Sequence, residues 1–113
     1  MNYIEQDLFV EENDIQYKIL IGRNAKGNDI IIKMSHPQDL WFHLDNISSP
    51  HIILQSHGDS IPKKYINQVA GMLFEYKKNA PNNCNVIYTQ IENVKLSNVH
   101  GTVTTKKLKI LKF

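Results

Sequence analysis

The run Leu40-Trp41-Phe42-His43-Leu44 alternates in character, and a short gap later His51-Ile52-Ile53-Leu54 does not. Side chains alternate across a strand, so Leu40, Phe42 and Leu44 fall on one side of an extended segment while Trp41, His43 and Asp45 fall on the other. One side reads as buried and the other as chemically loaded. The continuous apolar run after it reads as a second strand, fully or nearly buried. Between them Ser48-Ser49-Pro50 is turn chemistry, with Pro50 removing a backbone donor, so the two strands are expected to meet as a hairpin or tight corner.

The remaining elements are read from the same periodicities. Leu8-Phe9-Val10, a turn at Glu12-Asn13-Asp14 and the alternating Ile15, Tyr17, Ile19 and Ile21 read as a β-hairpin ending at Gly22. Arg23 to Asp29 reads as a loop, with Asn28 or Asp29 placed to cap the next element. The β-branched run in Ile30 to Met34 favours a strand and the cap residues before it a short helix, and the helix is the expectation. Ser60 and Pro62 open a long helix in which Tyr65, Val69, Leu73 and Tyr76 recur at helical spacing, ending near Lys77-Lys78. Cys84 to Tyr88, Asn93 to Leu96 and Thr102 to Ile110 supply further strands. The expectation is a single α+β domain over residues 1–113, a mixed and largely antiparallel sheet with one long and one short helix.

At 113 residues the chain can bury a core without metal or disulfide staples. Its one cysteine, Cys84, excludes an internal disulfide and a cysteine-based zinc site. Apolar runs such as Ile30-Ile31-Ile32 fall far below membrane-spanning length, and the acidic start has no signal-peptide pattern, so a soluble protein of the cytoplasm or nucleus is expected, with no membrane partner. The net charge of +2 hides an asymmetry. Residues 1–60 hold four basic side chains against nine acidic ones, whereas residues 61–113 hold nine lysines against Glu75 and Glu92. A basic half of this kind fits a polyanionic partner, or else a solvated lysine face.

Four residues could serve a metal or acid–base site, namely His43, His51, Asp39 and Asp45. No helical His-Glu-x-x-His, nucleophile elbow or glycine-rich phosphate loop accompanies them. The same stretch can bind instead: Trp41 or His43, presented outward, offers a face on which an unpaired base stacks, while Arg23 grips phosphate or stacks itself. Trp41 can instead be a core anchor, the role a single tryptophan in a small domain often fills, and Phe42 shares the buried side with Leu40 and Leu44. Gly22-Arg23-Asn24, with Lys26 beyond, reads as a phosphate-approachable loop or as an ordinary turn in which Asn24 bonds its own backbone. Lys63-Lys64 stand at a helix start already bearing partial positive charge, which points to an anion there. Lys95 and the cluster Lys106, Lys107, Lys109 and Lys112 form a basic strip, although these residues cannot all face one groove.

Asp39-Leu40-Trp41-Phe42-His43, the Ser48-Ser49-Pro50-His51-Ile52-Ile53-Leu54 after it, and Ile21-Gly22-Arg23-Asn24 with Asn28-Asp29 upstream together resemble the NFACT-R domain, over about Tyr17 to Phe113. That domain is the RNA-binding module of the NFACT proteins of ribosome-associated quality control and also occurs alone. The Ser48-Ser49 version, with Asn83 to Thr89 and Asn93-Val94-Lys95, is most similar to the family's eukaryotic branch. The segment Lys95 to Gly101 is shorter than in the quality-control proteins and lacks a proline before the glycine. The resemblance implies a stand-alone, non-catalytic module without metal or cofactor that binds RNA, tRNA or rRNA, with possible ribosome association. Together with the residue readings above, it puts Arg23, Asn24, Lys26, Trp41, His43, Ser49, His51, Lys63, Lys64 and Lys95 at the nucleic acid, and Gly22, Asp29, Asp39 and Phe42 in orienting roles. The rival readings are a DNA-binding module, a protein-interaction domain using the edge of the first hairpin, and a metal-dependent hydrolase.

Overall fold

The computed structural model describes residues 2–81 and 83–113. Strands β1 (Tyr3–Val10) and β2 (Ile15–Gly22) form the first hairpin, and helix α1 (Ala25–Met34) comes directly after it. Next come β3 (Leu40–Leu44), β4 (Ile52–Leu54), helix α2 (Lys63–Tyr76), β5 (Val86–Gln90), β6 (Val94–Leu96), β7 (Val103–Thr105) and β8 (Lys109–Leu111). Six strands make one sheet in the order β1-β2-β4-β3-β5-β8, and β6 pairs with β7 in a small second sheet. The α+β class is as expected, with one long and one short helix, and the strand pairing is antiparallel throughout rather than mixed.

Register explains why β4 is apolar throughout. Ile21, Ile52, Phe42 and Tyr88 line up across four strands, and beside them run Leu20, Ile53, Trp41 and Thr89. The first row points at α2, whose Ile66, Val69, Ala70 and Leu73 complete that core, and the Phe42 and Tyr88 rings stack at 5.4 Å within it. The second row points the other way, where Ile31 and Ile32 of α1 and Val94 of β6 cover Leu20, Trp41 and Ile53. The middle of the sheet is therefore covered on both faces, and the loaded side of β3 is not a free surface.

Helix α1 departs from the expected boundaries. It begins at Ala25, because Asn24 rather than Asn28 or Asp29 is the cap: its Oδ1 accepts the Gly27 N–H at 2.8 Å. Asn28 and Asp29 lie inside the helix and spend their side chains on distant segments. Helix α2 has Pro62 at its cap position with no side-chain cap bond, so Ser60 does not cap it. The helix closes where the Lys77 N–H reaches the Leu73 carbonyl.

Asp39 sits at the start of β3, fully buried, and acts as a local staple. Its carboxylate accepts the backbone N–H groups of His36 and His57 and pairs with the His57 ring at 3.2 Å. At the sheet's far side β1 is an open edge of eight residues, with Lys18 of β2 bridging Asp7 and Glu5 at 3.3 and 3.7 Å.

Two glycines give opposite expectations. A methyl group on Gly22 would land on Asn28 Oδ1, so Gly22→Ala should destabilise by about 1–3 kcal/mol through overpacking. Gly71 lies inside α2, where an added methyl meets only the Phe113 ring at 3.9 Å. Gly71→Ala should therefore stabilise, by about 0.5–1 kcal/mol. Urea unfolding of both variants checks the pair, and equal signs would contradict this account.

Candidate functional site

A groove of about 820 Å³ opens where β2 ends, α1 begins, β3 ends and β4 begins. Its floor carries Trp41, His43 and His51, its α1 wall Gly22, Arg23, Asn24, Ala25 and Asn28, and its opposite wall the 100–103 segment of the small sheet. These segments are distant in sequence and meet because β2, β4 and β3 are adjacent strands.

The three floor rings form one cluster. His43 stacks on Trp41 at 5.6 Å with 10° between planes, and His51 stands edge-on to both, 5.5 Å from Trp41 and 4.9 Å from His43. The indole Nε1–H donates to His51 Nδ1 at 3.1 Å. His51 Nδ1 is thereby an acceptor, which puts that ring's proton on Nε2. His43 Nδ1 lies 2.6 Å from the Leu44 carbonyl and must donate to it, leaving Nε2 as an acceptor. Burial pushes His51 down to about 3, with the neighbouring His43 adding to the shift. Burial also lowers His43, opposed by the Leu44 carbonyl and by Asp45.

The expectation that Trp41 offers a stacking face is overturned by its 1 % exposure. The indole is a core anchor with its polar tip satisfied, as a buried tryptophan requires. His43 is the half-buried ring of the cluster, backed by the indole.

The other expected site residues divide by place. Arg23 is exposed on the groove's α1 wall, and Asn24 lines it while capping the helix. Ser49 lines the groove with its hydroxyl accepting the Leu44 N–H and donating to the Pro50 carbonyl, which orders the 45–50 loop. Lys26 is exposed on the first turn of α1, and Lys95 is exposed on β6; neither lines the groove. Lys63 and Lys64 begin α2, whereas the groove receives Lys77 from that helix's other end, about 20 Å away along its axis. Lys64 is also engaged, 3.1 Å from Glu12 of the first hairpin turn, and that pair holds the Glu12 carboxyl down, after the larger effect of the Tyr65 hydroxyl. The structure thus does not join Lys63 and Lys64 to the groove.

Gly22 and Asn28 work together. Asn28 Oδ1 accepts the His51 backbone N–H at 3.1 Å, and the absence of a side chain on Gly22 makes room for it. Asp29 reaches across to the small sheet, taking the Gly101 N–H at 3.1 Å and pairing with His100 Nδ1 at 2.9 Å. Gly101, at φ +81°, packs so closely that a methyl on it would come within 2.6 Å of Ala25 Cβ. Asn28, Lys77, His100 and Gly101 are not among the expected site residues: Asn28 reads from sequence as a helix-cap candidate and Lys77 as a helix end, while His100 and Gly101 carry no site pattern. Asp39 and Asp45 stand at opposite ends of β3, so the four candidates for a metal do not converge. Among the described residues no group of three or more histidine, cysteine or acidic side chains is placed to hold a metal ion.

The family model described as the NFACT protein RNA-binding domain matches residues 7–107. The chain belongs to this family. Coiled-coil domain-containing protein 25 from Bos taurus is 35 % identical over 92 residues, covering 74 % of this chain and 43 % of the relative. Its Mus musculus counterpart is 34 % identical over the same length and shares. The homologue from Dictyostelium discoideum is 26 % identical over 97 residues, 78 % of this chain and 46 % of the relative. The chain spans less than half the length of these relatives. Among solved structures, the C-terminal part of the fibronectin/fibrinogen-binding protein from Streptococcus suis superposes with a TM-score of 0.78 at 21 % identity, over 96 % of this chain and 44 % of that one, a likeness of fold. In this NFACT RNA-binding domain the matched span contains the whole groove floor and α1 wall.

The His51 shift has a measurable consequence. Below the ordinary value of 6.5 the unfolded chain takes up a proton that the native chain refuses until about 3, so this contribution to stability is full above 6.5 and lost as pH falls. Between pH 8 and pH 5 this single group should remove about 2 kcal/mol of unfolding free energy. Urea titrations at both pH values read it, and a stability that holds level across the range would show that burial does not keep His51 neutral in the native chain.

Proposed function

We propose that this domain binds a flexible segment of RNA, from tRNA or rRNA in a translation-linked cytoplasmic setting, along the groove floored by His43. The family is an RNA-binding one. The observation that carries the placement is the half-buried imidazole of His43, stacked on a buried indole in a groove whose lining also holds Arg23 and Lys77. A base laid on His43 meets a ring whose partner cannot yield, and Arg23 and Lys77 in the same lining supply cations for the strand's phosphates. Unpaired bases stack on such rings, whereas the edges of a duplex cannot reach them. Asp45 is the one carboxylate of the groove lining, beside His43, and it disfavours phosphate at that point. The neutral ring and the acidic neighbour thus favour a base there and phosphates at the ends.

Lys95 and Lys106, on and just after the strands of the small sheet, lie outside the groove lining and would add weaker contacts to the backbone. Binding by such a distribution is modest in sequence preference and sensitive to salt.

Fluorescence anisotropy with a labelled single-stranded RNA tests the reading. Affinity should fall linearly in log–log form with salt, and Arg23→Ala should flatten the slope by roughly 0.7. His43→Ala should weaken binding by about 1–3 kcal/mol at every salt concentration, as loss of one stacked base requires. A duplex competitor should displace the strand poorly. Equal losses from Lys63→Ala and Arg23→Ala would move the site away from the groove, and stronger competition by DNA of the same sequence would transfer the reading to DNA.

A further inference from the structure

Resting on that reading of the groove, we propose that its α1 end is a receptor for a terminal phosphate monoester, so that the domain prefers a strand with a phosphorylated end over the same strand ending in hydroxyls. Two polar side chains that burial should have satisfied are left open there.

Asn28 is 8 % exposed and His51 2 %. The backbone N–H of His51 needs an acceptor, which fixes the Asn28 amide with Oδ1 toward it and the Nδ2 amino group turned away. The indole N–H fixes His51 in the same manner, leaving Nε2–H as its unused end. Neither Nδ2 of Asn28 nor Nε2 of His51 has a protein partner among the described residues. Neither is sealed from solvent, since among those residues the fully buried side-chain polar atom without a partner is Ser56 Oγ. Both residues line the groove. Two donors held by forced bonds, neither hydrogen-bonded to another group among the described residues, fit a ligand that brings acceptors.

The start of α1 adds to them. Asn24 satisfies the Gly27 N–H and its own carbonyl takes the Asn28 N–H, while the N–H groups of Ala25 and Lys26 have no partner among the described residues. They sit at the positive end of a ten-residue helix, beside the exposed Arg23 guanidinium. The oxygen groups nearby are already committed: Asn24 Oδ1 to the helix, the Ser49 hydroxyl to the 44–50 loop, and the Asp29 carboxylate to His100 and Gly101. What remains at this end of the groove is a set of donors from the helix, the floor and Arg23.

The count of donors selects the ligand. A phosphodiester inside a strand offers two non-bridging oxygens and a single charge. A monoester offers three strong acceptor oxygens and a charge of about −1.5 to −2. Two helix amides, an amide side chain, an imidazole N–H and a guanidinium match the second better than the first. Asp45, the carboxylate of the lining that acts on His43, would repel a group of that charge, which favours the phosphorylated end at α1 with its next base over His43.

The test uses one short single-stranded RNA in three forms: 5′-phosphorylated, 3′-phosphorylated, and hydroxyl at both ends. The full chain should bind one phosphorylated form about tenfold more tightly than the hydroxyl form, and which end is preferred gives the strand's direction. Asn28→Asp keeps the oxygen that accepts the His51 N–H while replacing the donor by a carboxylate oxygen, so it should bring the ratio to about one, with circular dichroism confirming the fold. A ratio near one in the unaltered chain overturns the inference while leaving the RNA reading intact. Separately, inorganic phosphate at constant ionic strength should shift the ¹⁵N–¹H signals of Ala25, Lys26 and the Asn28 side-chain amide more than chloride does. That shift without RNA binding would sustain the phosphate receptor and remove the RNA reading. Its absence would overturn the receptor whatever the RNA does.

Discussion

The hydrogen bond from the Trp41 indole to His51 ties this structure together. It lets the largest side chain of the sheet be buried with its one polar atom satisfied, and it joins β3 to β4 through side chains where their backbones already pair. It also decides which His51 nitrogen carries the proton, so one contact sets both packing and groove chemistry. His43 inherits its position from the same bond, because a ring stacked on a fixed indole has little freedom to turn.

Around that bond the sheet is closed on unequal terms. One face is covered by fourteen residues of α2 and the other by the shorter α1 with the β6–β7 hairpin. The second cover is assembled from separate pieces, and the seam between them is the groove. Asp29 and Gly101 hold the seam at one point, the first by accepting from the opposing loop and the second by lacking a side chain where α1 passes. A binding site at a join between covering elements needs no cavity carved from the core, so the two apolar clusters on either face of the sheet stay packed beneath it.

The sequence made the hairpin, the central strands and α2 legible, because alternation at β3 and helical spacing at Tyr65, Val69 and Leu73 are local patterns that burial enforces. The start of α1 was not legible to the same degree. Asn24, Asn28 and Asp29 are all competent caps, and which one acts depends on Gly22 letting Asn28 turn toward His51, a tertiary fact. The loaded face of β3 was recognised from Trp41 and His43, yet alternation cannot tell a solvent-facing side from one covered by a second layer, so the indole's role stayed open. Lys63 and Lys64 read as a paired charge at a helix start, while Glu12, which engages Lys64, arrives from a hairpin far earlier in the chain. Asn28 carries a cap signal that says nothing of the groove, and His100 carries none beyond its residue type.

The charge triad on β1 and β2 matters to any longer chain that carries this fold. An unpaired strand of eight residues is a template onto which a neighbouring molecule could add its own, and Glu5, Asp7 and Lys18 make that rim costly to desolvate. The rim thus discourages stacking of one sheet onto the next, and copies held close together, as on a shared scaffold or a crowded polyanion, would remain separate bodies.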